Sequence, residues 1–210
     1  MSVIQAMILG AVQGATEFLP VSSSGHLVVM KELFGTADVP VLFDVLLHVA
    51  TLVAVIIVFW KRVETLLVVF GRFITGRRRP EDAPYLRLIL LLLVATALTA
   101  GIGLTIDQIE SFRSPRLTSA MFLVTAVLLI LTTRARGTRP LEGIRWIDAI
   151  AIGVAQGAGV FPGISRSGIT IATGLYSGMD RTAAGEFSFL LAIPAILGAL
   201  VLTLPDAAAL

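Results

Sequence analysis

The sequence predicts an all-α, polytopic membrane protein with an inverted repeat, built from two opposed re-entrant helical hairpins and about four spanning helices. Three observations predict it. Of the 210 residues, 56% are hydrophobic and 14% are charged, and the mean hydropathy is +0.93, whereas soluble domains carry about a quarter charged residues. Four apolar runs, over 40–60, 85–104, 116–133 and 183–204, approach the roughly 20 residues a helix needs to cross hydrocarbon. Two further apolar stretches, 3–34 and 146–178, are cut near their middles by "LPVSSSG" and "FPGISRSG", and such Pro, Gly and Ser clusters interrupt a helix.

The elements follow in order. The N-terminal "MSVIQAMILGAVQGATEFLP" lacks a basic leader region and a small-residue cleavage site and carries Gln5, Gln13 and Glu17, so it reads as retained structure. Beyond the run 40–60, residues 61–84 hold Lys61, Arg62, Arg72, Arg77, Arg78 and Arg79, and residues 134–145 hold Arg134, Arg136, Arg139 and Arg145. Residues 105–116 instead balance Asp107 and Glu110 against Arg113 and Arg116. The positive-inside rule makes the first two loops cytoplasmic and the third external, with one span between each pair. The helix 40–60 therefore begins outside, the hairpin 3–34 dips in from outside, and the hairpin 146–178 dips in from the cytoplasm. Arg87 reads as snorkelling to the interface, Lys31 with Glu32 as a solvated helix edge, and Glu186 as a boundary or structural residue.

A shift of 143 positions, the step from Gln13 to Gln156, lays "GAVQGATEFLPVSSSG" on "GVAQGAGVFPGISRSG" without a gap. Identical pairs include Gly10 and Gly153, Gly14 and Gly157, Phe18 and Phe161, Ser22 and Ser165, Ser24 and Ser167, and Gly25 and Gly168. The whole chain, 1–210, reads as a single integral membrane domain, with one repeat over about 3–104 and the other over about 116–204. Opposite entry of two related hairpins places the functional site where their tips meet near the midplane. Non-helical backbone at that depth requires protein or a water-filled cavity around it. Two ordinary spans kinked by proline, with serines bonded back to their own helix, are the plainer alternative.

Pooling the tips gives Glu17, Ser22, Ser23, Ser24 and His26 from one, and Ser165, Arg166, Ser167 and Thr170 from the other. This set suits an anionic group. Arg166 offers a planar fork of donors that matches phosphate, and an intramembrane arginine is costly enough to imply function. Glycines and restarting helices bring backbone N–H groups to an anion. Phosphoryl transfer needs a nucleophile, a proton shuttle and charge neutralisation. Ser23 or a neighbouring serine supplies the first, His26 moves the proton, and Glu17 holds His26, the nucleophile or a divalent cation. Asp44 and His48, four apart on one helix face, are left open as cleft-lining residues. The absence of cysteine excludes a disulfide framework or thiol nucleophile, two histidines argue against a His-rich zinc site, and the net charge of +2 reports orientation rather than nucleic-acid binding.

These motifs carry a resemblance. "QGATEFLPVSSSGHL", "FDVLLHVATLVAV", "PGISRSGITIATGL" and "EFSFLLAIPAILGA", in this order, resemble the undecaprenyl-diphosphate phosphatases of the bacitracin-resistance type, over about residues 3–204. The resemblance implies a multi-pass enzyme of the plasma membrane that hydrolyses a polyprenyl diphosphate, a lipid substrate, to the monophosphate and inorganic phosphate. That reaction recycles the carrier of cell-wall glycan synthesis and uses a divalent cation, Mg2+ or Ca2+. It also implies Glu17, Ser23, His26, Ser165, Arg166 and Thr170 as the site; because the charge count puts the hairpin bearing Glu17, Ser23 and His26 outside, the site is expected to open to the extracytoplasmic side. Gln13 stands where some relatives carry a second acidic residue, so Glu17 with Gln13 is the expected cation pair. The family pattern continues with two further helices after "FSFLLAIP". Either these are dispensable here, or a homodimer supplies the wall, or this is a shortened relative with altered activity. From another class, a polyprenyl-phosphate flippase or transporter would use the same cavity without a nucleophile. Type 2 phosphatidic acid phosphatases share "SGH" and "SR" elements but require a histidine after the arginine, and none follows Arg166.

Overall fold

The computed structural model describes residues 1–107 and 114–207. Nine α-helices form among them: α1 (Val3–Phe18), α2 (Ser23–Leu33), α3 (Val41–Val58), α4 (Trp60–Ile74), α5 (Ala83–Asp107), α6 (Pro115–Thr132), α7 (Trp146–Ala158), α8 (Arg166–Tyr176) and α9 (Arg181–Ala207). Single 3-10 turns lie at Pro80–Asp82 and Leu141–Gly143. No β-strand forms among the described residues, which hold one isolated bridge between Arg139 and Met179. Much of the expected external loop 105–116 lies outside the described residues.

Four helical stretches are long and apolar enough to cross a membrane, Val41–Val58, Pro80–Ile106, Pro115–Thr132 and Arg181–Pro205, at the places the sequence predicts. Only 17% of the α6 window is buried, so most of its apolar surface faces outward, as a lipid-facing helix requires. The other helices are too short to span. At 1.5 Å per residue the 16 residues of α1 and 13 of α7 reach roughly 24 and 20 Å, short of a hydrocarbon core of about 30 Å.

Short helices pair into two hairpins, α1 with α2 and α7 with α8, and the repeat is visible in their bounds: α8 begins and ends 143 positions after α2. Both inner helices start with the same serine cap. Ser22 Oγ accepts from Gly25 N at 3.3 Å and Ser165 Oγ from Gly168 N at 3.0 Å, satisfying an N–H that a helix start leaves unpaired.

The core sits under the second hairpin. Leu91 and Ala95 of α5, Ala149 and Ile152 of α7, Leu175 of α8 and Phe187, Leu190 and Leu191 of α9 are buried together. A smaller cluster joins Leu52 and Val55 of α3 to Ala192 and Ile196 of α9. Helices α5 and α7 approach so closely that a Cβ built on Gly153 would lie 2.7 Å from the Ala95 Cα, and one on Gly157 would lie 2.6 Å from the Ile102 Cβ. Small residues four apart permit such packing where no hydrophobic force acts between helices. Thr99 seals the seam, donating to the Gly153 carbonyl at 3.1 Å and accepting from Gln156 Nε2 at 3.1 Å.

Several expectations about the loops change. The basic stretch 61–84 holds most of α4, whose Leu66 and Val69 are buried while Lys61 and Glu64 stay exposed. Its charges were enough to exclude a span, and its short apolar stripe, folded back on α5, makes an amphipathic helix instead. Lys31 is not a solvated edge: it is 8% exposed and donates to Asp44 Oδ2 at 2.6 Å, because α3 brings a carboxylate over it and a buried ammonium needs one. Arg87 donates from Nη2 to the Ile144 carbonyl at 2.6 Å, so its head is held by protein. Glu186 keeps the structural role expected of it, accepting from Arg62 Nε at 2.6 Å. In the loop before α7, Arg139 bonds to the Gly143 and Ser177 carbonyls and to Asp148, tying that loop to both helices of the second hairpin. Burial alone raises the Asp148 carboxyl, but hydrogen bonds from Arg145 and Arg139 outweigh it and hold the group at about 2.

Candidate active site

The two elbows touch. The first, residues 19–22, ends at Ser22, whose φ of 67° is left-handed, a conformation that costs a non-glycine residue about 1 kcal/mol or more. This turns the Ser22 hydroxyl toward the second elbow, where Gly163 N donates to it at 3.1 Å. Gly163 has φ of +95°, and a Cβ there would press on the Thr118 carbonyl. A Cβ on Gly25 would lie 2.8 Å from the Gly163 backbone, so the hairpins meet backbone to backbone where side chains do not fit.

Glu17 stands at the end of α1, 7% exposed. Arg166 Nη2 donates to its Oε1 and Ser23 Oγ donates to its Oε2, so one carboxylate joins the arginine of the second hairpin to the middle serine of the first. Gln13 Nε2, one turn back on α1, donates to the same Oε2 at 3.0 Å and lies 3.4 Å from Thr51 Oγ1. His48 of α3 brings its Nε2 to 3.6 Å from Oε2. A buried carboxylate would be unstable without such company. Burial is incomplete at the arginine, whose side chain keeps 23% of its exposure.

The remaining sequence-predicted residues fall into two groups. Ser24 lies 3.5 Å from Ser22 and Ser167 lies 3.3 Å from Ser165, each pair in one elbow. Ser22 and Ser165 spend their oxygens on the caps of α2 and α8, and Thr170 binds the Arg166 carbonyl at 2.8 Å and Ser188 at 2.6 Å. His26 is not bonded to Glu17. Its Nδ1 lies 2.7 Å from the Ser22 carbonyl and its ring packs edge-on against Phe122 at 4.9 Å. A carbonyl only accepts, so Nδ1 carries a proton, and Nε2 makes no hydrogen bond among the described residues. Thr51 and Ser188 were not anticipated, and their only signal is a polar side chain inside an apolar helix.

A carboxylate, a serine hydroxyl and an arginine fork converge at two helix starts inside a bundle of apolar helices, the arrangement of a multi-pass membrane protein with a buried polar site. The chain matches the family described as Bacitracin resistance protein BacA over residues 6–209. It is 49% identical over 207 residues to an undecaprenyl-diphosphatase of Treponema denticola, covering 99% of this chain and 77% of that one. It is 48% identical over 214 residues to an undecaprenyl-diphosphatase of Desulfosudis oleivorans, covering 98% and 78%. A protein of the same name from Methanosphaera stadtmanae is 40% identical over 221 residues, covering 100% and 80%. The chain belongs to the BacA family.

Proposed function

We propose that this chain is a membrane-bound phosphoric anhydride hydrolase, an undecaprenyl-diphosphatase that releases inorganic phosphate from the lipid diphosphate and leaves the monophosphate. Support for the substrate comes from the names of relatives at 40–49% identity and from apolar helix faces that can hold a prenyl tail. The observation that carries the mechanism is that Ser23 and Arg166, from different hairpins, bond to opposite oxygens of Glu17.

The chemistry follows from those contacts. Glu17 takes the Ser23 hydroxyl proton as Oγ attacks the terminal phosphorus, and the bond from phosphorus to the bridging oxygen breaks, leaving the prenyl monophosphate. The Arg166 fork holds the phosphoryl oxygens and offsets their charge as it shifts in the transition state. His26, with Nδ1–H fixed on the Ser22 carbonyl, has Nε2 available to move a proton at the leaving oxygen or at the water that then releases phosphate from Ser23. Uncapped N–H groups at the starts of α2 and α8, with Ser24 and Ser167 beside them, complete the anion pocket. The donor set fits a hard cation: Glu17 offers carboxylate oxygen, and Gln13 Oε1 is buried without a hydrogen-bond partner. Bound there, Mg2+ or Ca2+ would neutralise diphosphate charge.

The hairpins enter from opposite faces, and the site opens to the extracytoplasmic side, a reading supported by the basic stretches at 61–79 and 134–145. The test is phosphate release from undecaprenyl diphosphate in detergent. Ser23→Ala abolishes release while substrate binding persists. Unimpaired turnover by Ser23→Ala overturns the serine mechanism, and lipid movement without phosphate release would favour a flippase.

A further inference from the structure

We propose that the cavity between α4, α5 and the Leu141–Gly143 turn binds the headgroup of a zwitterionic phospholipid, with its phosphodiester on Arg87 and its primary ammonium between Glu81 and Glu142. None of the residues lining this cavity belongs to the two elbows, so the site stands whether or not Ser23 and Arg166 carry out phosphoryl transfer.

The cavity encloses about 710 Å3, within the roughly 300–1,000 Å3 of small-molecule sites. Buried Leu88 and Leu141 supply apolar lining, and four charged side chains join them, Arg62, Glu81, Arg87 and Glu142. Arg62 is already engaged, since its Nε donates to Glu186 Oε1 at 2.6 Å. Arg87 is not. It is half-buried, its one hydrogen bond runs from Nη2 to the Ile144 carbonyl, and among the described residues no carboxylate lies within ion-pair distance of it. A guanidinium without a counter-ion inside a candidate span is expensive to keep. Its unused N–H donors suit the paired oxygens of a phosphodiester.

An anion alone does not match the charge of the lining. Glu81 and Glu142 keep 69% and 65% of their side-chain exposure, and their nearest cations are Arg79 at 3.6 Å and Arg62 at 3.7 Å. Exposed pairs at such distances are worth little, so both carboxylates remain available to a second cation. A primary ammonium donates to both, as a lysine head would. A trimethylammonium has no N–H and favours a cage of aromatic rings, whereas among the described residues the lining offers one ring, Tyr85. The depth also fits a headgroup, because Arg87 stands near the start of the candidate span Pro80–Ile106, at the end adjoining the basic stretch 61–79. Leu90, one turn deeper on α5, and Leu93 beyond it are exposed, which gives an acyl chain an apolar track.

The experiment is native mass spectrometry of the full chain in detergent, titrated separately with phosphatidylethanolamine, phosphatidylglycerol and phosphatidylcholine of identical acyl chains. One phosphatidylethanolamine is expected to bind at least tenfold more tightly than either other lipid. Arg87→Gln is expected to weaken that binding at least tenfold, Glu81→Gln combined with Glu142→Gln to erase the preference over phosphatidylcholine, and Arg166→Lys to keep it. Soluble glycerophosphoethanolamine or inorganic phosphate, each at the lipid's concentration, is expected to leave the lipid bound. Equal binding of the three lipids, a preference for another lipid, a preference that survives either set of cavity substitutions or falls with Arg166→Lys, or displacement by the soluble headgroup or by phosphate overturns the proposal. If Arg87→Gln fails to fold, the double glutamine variant, which changes only exposed side chains, decides the matter.

Discussion

Glu17 is the residue on which the site turns, because its two oxygens do different work. One accepts from Arg166 and the other from the Ser23 hydroxyl, so a single side chain places both groups that the proposed mechanism uses. Arg166→Lys is expected to lower the rate of phosphate release by roughly 100-fold or more, because a point charge replaces a planar fork that serves carboxylate and phosphate together. Near-wild-type turnover by Arg166→Lys would show that the fork is not used. Glu17, Ser23 and Arg166 were legible in the sequence because each is an expensive or reactive group inside an apolar stretch. Where the repeats differ is also informative: Ser23 aligns with Arg166, and Glu17 with Val160, so the residues of the proposed mechanism sit where the two copies are unlike. The contact of His48 with Glu17 was not legible, since it joins helices α1 and α3 and depends on their rotation. The pairing of Lys31 with Asp44 was hidden for the same reason.

Helices and their caps set those side chains in place. Serine at the start of both α2 and α8, with glycine three residues later, was visible in the repeat, and the same cap forms twice. The glycines ahead of the elbows behave differently in the two copies. A Cβ on Gly10 would meet only Leu47 Cδ2 at 3.8 Å, an ordinary contact, whereas one on Gly153 would lie 2.7 Å from the Ala95 backbone. Gly153→Ala is therefore expected to destabilise the protein by about 1–3 kcal/mol through overpacking, while Gly10→Ala leaves stability unchanged or slightly raised. Thermal unfolding in detergent separates the two, and equal effects would contradict the close α5–α7 seam. Helix α4 escaped the sequence reading because its four charges, Lys61, Arg62, Glu64 and Arg72, disguise an apolar stripe only four turns long.

At the scale of the whole molecule, the four candidate spans could be read from hydropathy alone, since each is a long apolar run with few charges. Their packing could not, because lipid-facing and buried positions in such helices are equally apolar. The proposed topology makes a direct expectation in a chain that has no cysteine. Asp38→Cys, before α3, should react in intact cells with a membrane-impermeant maleimide, and Arg77→Cys, after α4, should react only once the membrane is opened. The reverse pattern would invert the molecule and place the site on the cytoplasmic side.

The central claim is that a serine of one hairpin attacks the phosphate gripped by an arginine of the other. Acid quenching during turnover of undecaprenyl diphosphate labelled in its terminal phosphate tests it most directly. The label is expected on the peptide containing Ser23, absent in Ser23→Ala and strongly reduced in Arg166→Lys. A wild-type chain that releases labelled phosphate at full rate yet never carries the label, with Ser23→Ala equally active, would contradict it.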